Sequence, residues 1–118
     1  MPEEKENPKF IQALKDGKAP MECLVLSVLE GEARVLKLGA DKYGFRNWLI
    51  DKIKASTYIA AILRHLFAYA RGEETDPESG ESHLQHIRAC CALLLDSKDQ
   101  GTLIDDRFRK ESKAVEQG

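Results

Sequence analysis

The sequence predicts an all-α domain, a compact bundle of about four to five helices that completes its core by oligomerisation. Three observations carry that prediction. Apolar residues recur at three- and four-residue spacings in several separate stretches. Glycine and proline punctuate the ends of those stretches. No stretch holds the sustained alternation of a half-buried strand. A chain of 118 residues suits one domain with a useful but modest core.

Residues 1–19 read as a solvated lead-in and a short helix. Pro8 opens that helix, Phe10, Ile11 and Leu14 give it an apolar face, and Gly17 ends it. Pro20 then opens a single helical domain over residues 20–109. Its first helix carries Met21, Leu24, Val25, Val28, Leu29, Ala33, Leu36 and Leu38. Gly31 interrupts that helix at a cost of about 1 kcal/mol, and Gly39 is the expected stop. The helical period also outweighs a strand at Val25–Val28. Residues 39–49, GADKYGFRNWL, read as a loop with one tight turn. A third helix runs from Ile50 or Ser56 to Arg71, buries Ile59, Ile62, Leu63, Leu66, Phe67 and Ala70, and stops at Gly72.

In residues 73–80, EETDPESG, the pattern breaks. Asp76 followed by Pro77 looks like a helix cap with proline at the first helical position. Ser82 with Gln85 offers a competing capping box one turn later. The fourth helix carries Leu84, Ile87, Cys90, Cys91, Leu93, Leu94 and Leu95. Leu103, Ile104 and Phe108 are expected to form a last docked turn, and residues 110–118 a flexible tail.

Composition excludes several classes. The formal net charge is -2, so the basic excess of a phosphate-tracking protein is missing and no sequence-specific nucleic-acid binding is expected. Three cysteines, two of them adjacent, do not make a disulfide framework. They predict a soluble, cytoplasmic protein in a reducing compartment. No run of about 18 apolar residues exists, so no membrane partner is expected. The default for Cys90 and Cys91 is burial in an apolar helix without chemistry.

Three polar clusters are candidates for function. Lys42, Tyr43, Arg46, Asn47 and Trp48 place two cations, an amide and two aromatics in seven residues, which suits an anionic, aromatic nucleotide ligand. The competing reading packs Tyr43 and Trp48 in the core and leaves the cations solvated. Arg64 and His65 precede His83 and His86, two histidines that share a helix face. They can supply a general base or hold a metal, or they can tie helix ends together. His86 and Cys90 are four apart, far from a zinc-finger pattern. In the acidic run Glu73, Glu74, Asp76, Glu78 and Glu81, Asp76 and Glu78 are the candidate ligands for Mg2+. Glu73 and Glu74 read as helix-start charges.

The ordered motifs KYGFRNW, RHL, DPESG and HLQH over about residues 20–96 resemble the phage family of dATP/dGTP diphosphohydrolase N-terminal domains, and more distantly the all-helical MazG-like nucleotide pyrophosphohydrolases. The resemblance implies a helical protein of phage nucleotide metabolism, placed in the host cytoplasm. It implies metal-dependent cleavage of a (deoxy)nucleoside triphosphate with release of pyrophosphate. In that reading Asp76 and Glu78 hold Mg2+. Lys42, Tyr43, Arg46, Asn47, Trp48, Arg64, Ser79 and His86 bind the nucleotide, and His65 and His83 serve catalysis. Glu30 and Glu32 stand two apart, unlike the E-x-x-E pairs of MazG-like enzymes. An alternative is a protein that binds or sequesters a nucleotide, or a nucleotide-derived signal, without cleaving it. A third is a helical interaction protein with no small-molecule site. A homodimer or larger assembly is expected, because the apolar stripes exceed what one protomer buries.

Overall fold

The computed structural model describes residues 7–108. The expected lead-in before residue 7 and the tail at 110–118 lie outside them. Five α-helices appear among the described residues: α1 (Pro8–Lys15), α2 (Leu26–Tyr43), α3 (Asn47–Ile50), α4 (Ala55–Ala70) and α5 (His83–Asp99). A 3-10 turn spans Met21–Cys23. Two short strands, β1 (Ile53–Lys54) and β2 (Leu103–Ile104), pair in parallel, with Ile53 opposite Leu103 and Lys54 opposite Ile104. No helix among the described residues is long and apolar enough to cross a membrane.

α5 is the centre of the molecule. It packs along α4 and against α2, and α3 and β2 also touch it. The buried apolar residues come from four elements: Val35 on α2, Ile53 on β1, Ala55 on α4 and Ala89 on α5. Ser97 on α5 is fully buried at 0% exposure, and its hydroxyl donates to the Leu94 carbonyl at 3.2 Å. α2 comes close to α5 at Gly31. A Cβ there would stand 2.4 Å from Gln85 Nε2, so only glycine lets the Gln85 side chain lie across that helix.

Local chemistry explains most boundaries. Asn7 caps α1 through Lys9 N–H at 2.8 Å, with Pro8 at its first position. Ser82 caps α5 through Leu84 N–H at 3.1 Å. The reciprocal half of the expected capping box is not made, because Gln85 Oε1 is buried without a partner. α4 has no cap of its own. Asp106 supplies it from beyond β2, accepting from both Ser56 N–H (2.9 Å) and the Ser56 hydroxyl. Those two bonds hold the Asp106 carboxyl below the usual range. α4 closes at Gly72 through Gly72 N–H to Tyr69 O and Glu73 N–H to Ala68 O.

Four local expectations are corrected. α2 begins at Leu26 rather than near Pro20, and the segment before it forms the 3-10 turn. It also runs through Gly39 to Tyr43, so Lys42 and Tyr43 sit on a helix rather than in a loop. The break comes at Gly44, whose φ of 100° is open to glycine, and Arg46 follows at φ 53° before α3. Asp76-Pro77 does not start a helix. Asp76 instead accepts from Glu78 N–H at 2.9 Å in an Asx turn, and an antiparallel bridge joins Thr75 to Ser82. Leu103 and Ile104 form a strand rather than a docked turn.

Candidate functional site

The face that α2 turns toward α5 repeats at three- and four-residue steps: Val35, Leu38, Gly39, Lys42 and Tyr43. α5 answers with His86, Ala89, Cys90 and Leu93. With Asn47 and Trp48 from α3, Tyr58, Arg64 and His65 from α4, and Asp76, Glu78 and Ser79 from the connecting loop, these residues line one cavity of about 470 Å³. Its size falls among small-molecule sites.

The polar wall is a histidine cluster. His65 and His86 stack, with ring centroids 4.4 Å apart and planes 9° from parallel. His83 lies behind His65, 4% exposed, with the two Nδ1 atoms 2.8 Å apart. Its Nε2 meets Glu73 Oε1 at 2.7 Å. The Nε2 of His86 lies 2.7 Å from Ser79 Oγ and 3.6 Å from Asp76 Oδ2. Burial, followed by the facing imidazoles of His86 and His83, lowers the His65 pKa. Burial also lowers that of His86, against the opposing pull of Asp76. Both rings therefore favour the neutral form at pH 7. One ligand atom each from His65, Asp76 and His86 can be chosen so that all lie within 4.8 Å of one another.

The loop that carries Asp76 is held by its own bonds. Asp76 N–H donates to Glu81 O, Gly80 N–H donates to Asp76 O, and Glu81 N–H donates to Ser79 Oγ. Arg34 on α2 secures it further, its Nε donating to both Glu81 oxygens at 3.0 and 3.2 Å. Asp76 and Ser79 thus stand on a braced hairpin that joins α4, which carries His65, to α5, which carries His83 and His86.

The sequence of this chain matches the family model described as dATP/dGTP diphosphohydrolase, N-terminal, over residues 8–107. The chain belongs to that family. A relative in Salmonella phage PMBT28, named dATP/dGTP diphosphohydrolase, is 34% identical over 91 residues. The match covers 77% of this chain and 31% of the relative, so the chain spans about a third of that protein's length. No solved structure matches the chain.

Within this diphosphohydrolase N-terminal family member, the structure gathers most of the candidate residues. Lys42, Tyr43, Asn47, Trp48, Arg64, His65, Asp76, Glu78, Ser79 and His86 share the cavity wall. Arg46 is not on that wall, and its guanidinium lies 5.2 Å over the Phe45 ring. His83 is one layer behind. Glu78 points to Lys42 Nζ at 3.5 Å, with both side chains largely exposed. Trp48 donates from Nε1 to Asp96 Oδ2 at 2.8 Å, which fixes the ring at the cavity edge.

Three residues escaped the sequence reading, one of them Tyr58 of α4, which lines the cavity. Glu73 is the partner of His83 rather than a helix-start charge, and Asp96 is the anchor of Trp48. A residue ten positions away across a bent loop leaves no local signal for the Glu73 pairing. Cys91 is also corrected: it is exposed, because it lies one position off the face that Cys90 shares with His86 and Leu93. Cys90 is half-buried and burial pushes its thiol up to about 11, so it stays protonated and unreactive.

Proposed function

We propose that this cavity hydrolyses a purine deoxynucleoside triphosphate, dATP or dGTP, to its monophosphate and pyrophosphate. One observation carries the reading. Two cations, Lys42 and Arg64, and the aromatics Tyr43, Tyr58 and Trp48 border the same cavity as a half-buried acid–imidazole cluster. Cations suit a polyphosphate, flat rings suit a base, and the cluster suits a water nucleophile. The name of the phage relative supports the substrate class.

The nucleotide enters as its Mg2+ complex, with Mg2+ as part of the substrate. Lys42 and Arg64 hold the phosphates, while Trp48, anchored on Asp96, and Tyr43 flank the base. Asn47 and Ser79 offer neutral hydrogen bonds. Water attacks the α-phosphorus on the side of His65, Asp76 and His86. The bond from that phosphorus to the α,β-bridging oxygen breaks, and pyrophosphate leaves with the electron pair. The water proton passes to the imidazole–carboxylate cluster, and His83 with Glu73 holds His65 in position.

The test incubates the protein with each of the four dNTPs and Mg2+ or Mn2+ and separates the products. Equal amounts of dAMP or dGMP and pyrophosphate are expected. Tight nucleotide binding by calorimetry without either product would instead identify a sequestering protein. Neither binding nor products would remove a small-molecule role for the cavity.

We also propose that the protein works as a homodimer or larger assembly. Among the described residues only four apolar side chains are buried, whereas Leu26, Ile50 and Leu95 stay 70%, 78% and 67% exposed. A surface so rich in large apolar groups asks for a second copy. Light scattering is expected to give a mass at least twice 13.3 kDa. A monomeric mass across the micromolar range would refute it.

A further inference from the structure

We propose that His65, Asp76 and His86 form a site for a first-row transition-metal dication, preferred over Mg2+. The inference rests on reading this cavity as the reaction site, but the metal is measurable without any nucleotide. The donors are two imidazoles and one carboxylate that can approach within 4.8 Å of one another. Mg2+ takes oxygen ligands almost exclusively and keeps much of its water. Imidazole nitrogen favours Fe2+, Co2+, Ni2+ or Zn2+, and two histidines with one carboxylate leave coordination positions open for water and a phosphate oxygen. Glu78, the other carboxylate at the cavity, is turned to Lys42 and lies outside the group.

The surrounding hydrogen bonds prepare the first ligand. Only one proton fits between His65 Nδ1 and His83 Nδ1 at 2.8 Å. With one proton on each ring, His83 donates Nε2–H to Glu73 and accepts at Nδ1 from His65. His65 Nε2 is then left with its lone pair. A carboxylate behind the imidazole is the usual outer support of a metal-bound histidine. Here a second imidazole stands between them, so that Glu73 and His83 are positioning residues for His65. Ser79 Oγ meets the Nε2 of His86, the nitrogen that faces Asp76 Oδ2, and is itself held by the Glu81 amide. With a dication held there, the lone pairs of His65, Asp76 and His86 would be occupied, so the metal would acidify the water and its proton would pass to solvent instead of to the imidazole–carboxylate cluster.

The experiment titrates metal-stripped, untagged full chain with Co2+ in the absence of nucleotide. One Co2+ per chain is expected, with visible d–d absorption that a thousandfold excess of Mg2+ does not erase. His65→Ala, His86→Ala and Asp76→Asn should each weaken Co2+ at least 100-fold. Glu73→Gln should weaken it about 10- to 100-fold, whereas Glu78→Gln should leave it unchanged. If a variant fails to fold, 15N spectra of the wild-type histidine rings with Zn2+ decide the matter: the His65 and His86 nitrogens should shift strongly. Unshifted His65 and His86 signals, or Co2+ released by equimolar Mg2+, would overturn the site. Co2+ binding without dNTP turnover would keep the site and remove the hydrolase. Turnover with Mg2+ alone and no Co2+ site would do the reverse.

Discussion

Asp76→Asn is expected to reduce turnover of dATP or dGTP by about 10³-fold while the fold survives. The expectation comes from two separate duties of one side chain. Asp76 Oδ1 accepts from Glu78 N–H and shapes the turn. An asparagine oxygen accepts the same bond, so the hairpin between α4 and α5 keeps its form. The other oxygen, Oδ2, stands 3.6 Å from His86 Nε2 and gives the cluster its only negative charge on the cavity wall besides the Lys42-paired Glu78. Asparagine removes that charge and with it the acceptor for the water proton. Losing a preorganised electrostatic group commonly costs on the order of 10²–10³ in kcat. Steady-state kinetics beside a thermal melt separate the outcomes. An unchanged kcat would remove Asp76 from the reaction. A fall in kcat matched by a collapsed melt would assign it to the turn alone.

Gly31→Leu is expected to destabilise the protein by about 2–3 kcal/mol, the usual cost of forcing extra atoms into a filled contact. A Cβ at this position would lie 2.4 Å from Gln85 Nε2 and 2.5 Å from Gln85 Cδ. The α2–α5 pair must open or Gln85 must swing out. A companion change tests the cause. Gln85→Ala vacates that space, so the double variant should recover more than half of the loss, a strong departure from additivity. Gln85→Leu alone should be neutral or slightly stabilising, because it removes the buried Oε1 that has no partner. Urea denaturation measures all four. Additive losses would show that Gly31 matters for some reason other than Gln85. His86 adjoins Gln85 on α5, so opening this crossing should also disturb the cavity.

The helices were legible because their signals are local. The three- and four-residue spacing marked α4 as a helix, although Leu63, Leu66 and Phe67 of its expected buried stripe stay 44%, 42% and 56% exposed. The stop at Gly72 and the cap at Ser82 likewise need only neighbouring residues. The end of α2 was misplaced because a glycine inside a helix and one just beyond it look alike in sequence. Only the backbone at Gly44 distinguishes it from Gly39. That one error hid a pattern: Val35, Leu38, Gly39, Lys42 and Tyr43 form a continuous face once the helix runs on. In the site, the residue types were legible but their pairings were not. His65 meets His83 across 18 residues, and Trp48 meets Asp96 across 48. Such contacts depend on how α4 and α5 cross, which no short window encodes. The Asp76-Pro77 reading failed for a related reason: the Thr75–Ser82 bridge outcompetes a helix start at that point.

The parallel pairing of Ile53–Lys54 with Leu103–Ile104 fastens two points fifty positions apart in the chain. A ladder of two residues has no independent stability. Closing a loop of that length costs several kcal/mol of chain freedom by polymer estimates, growing only slowly with length. The fastener therefore depends on the packing of α4 against α5 that brings its two ends together. The same closure brings Asp106 to the uncapped start of α4, so one contact region secures both the strand pair and the helix that presents His65.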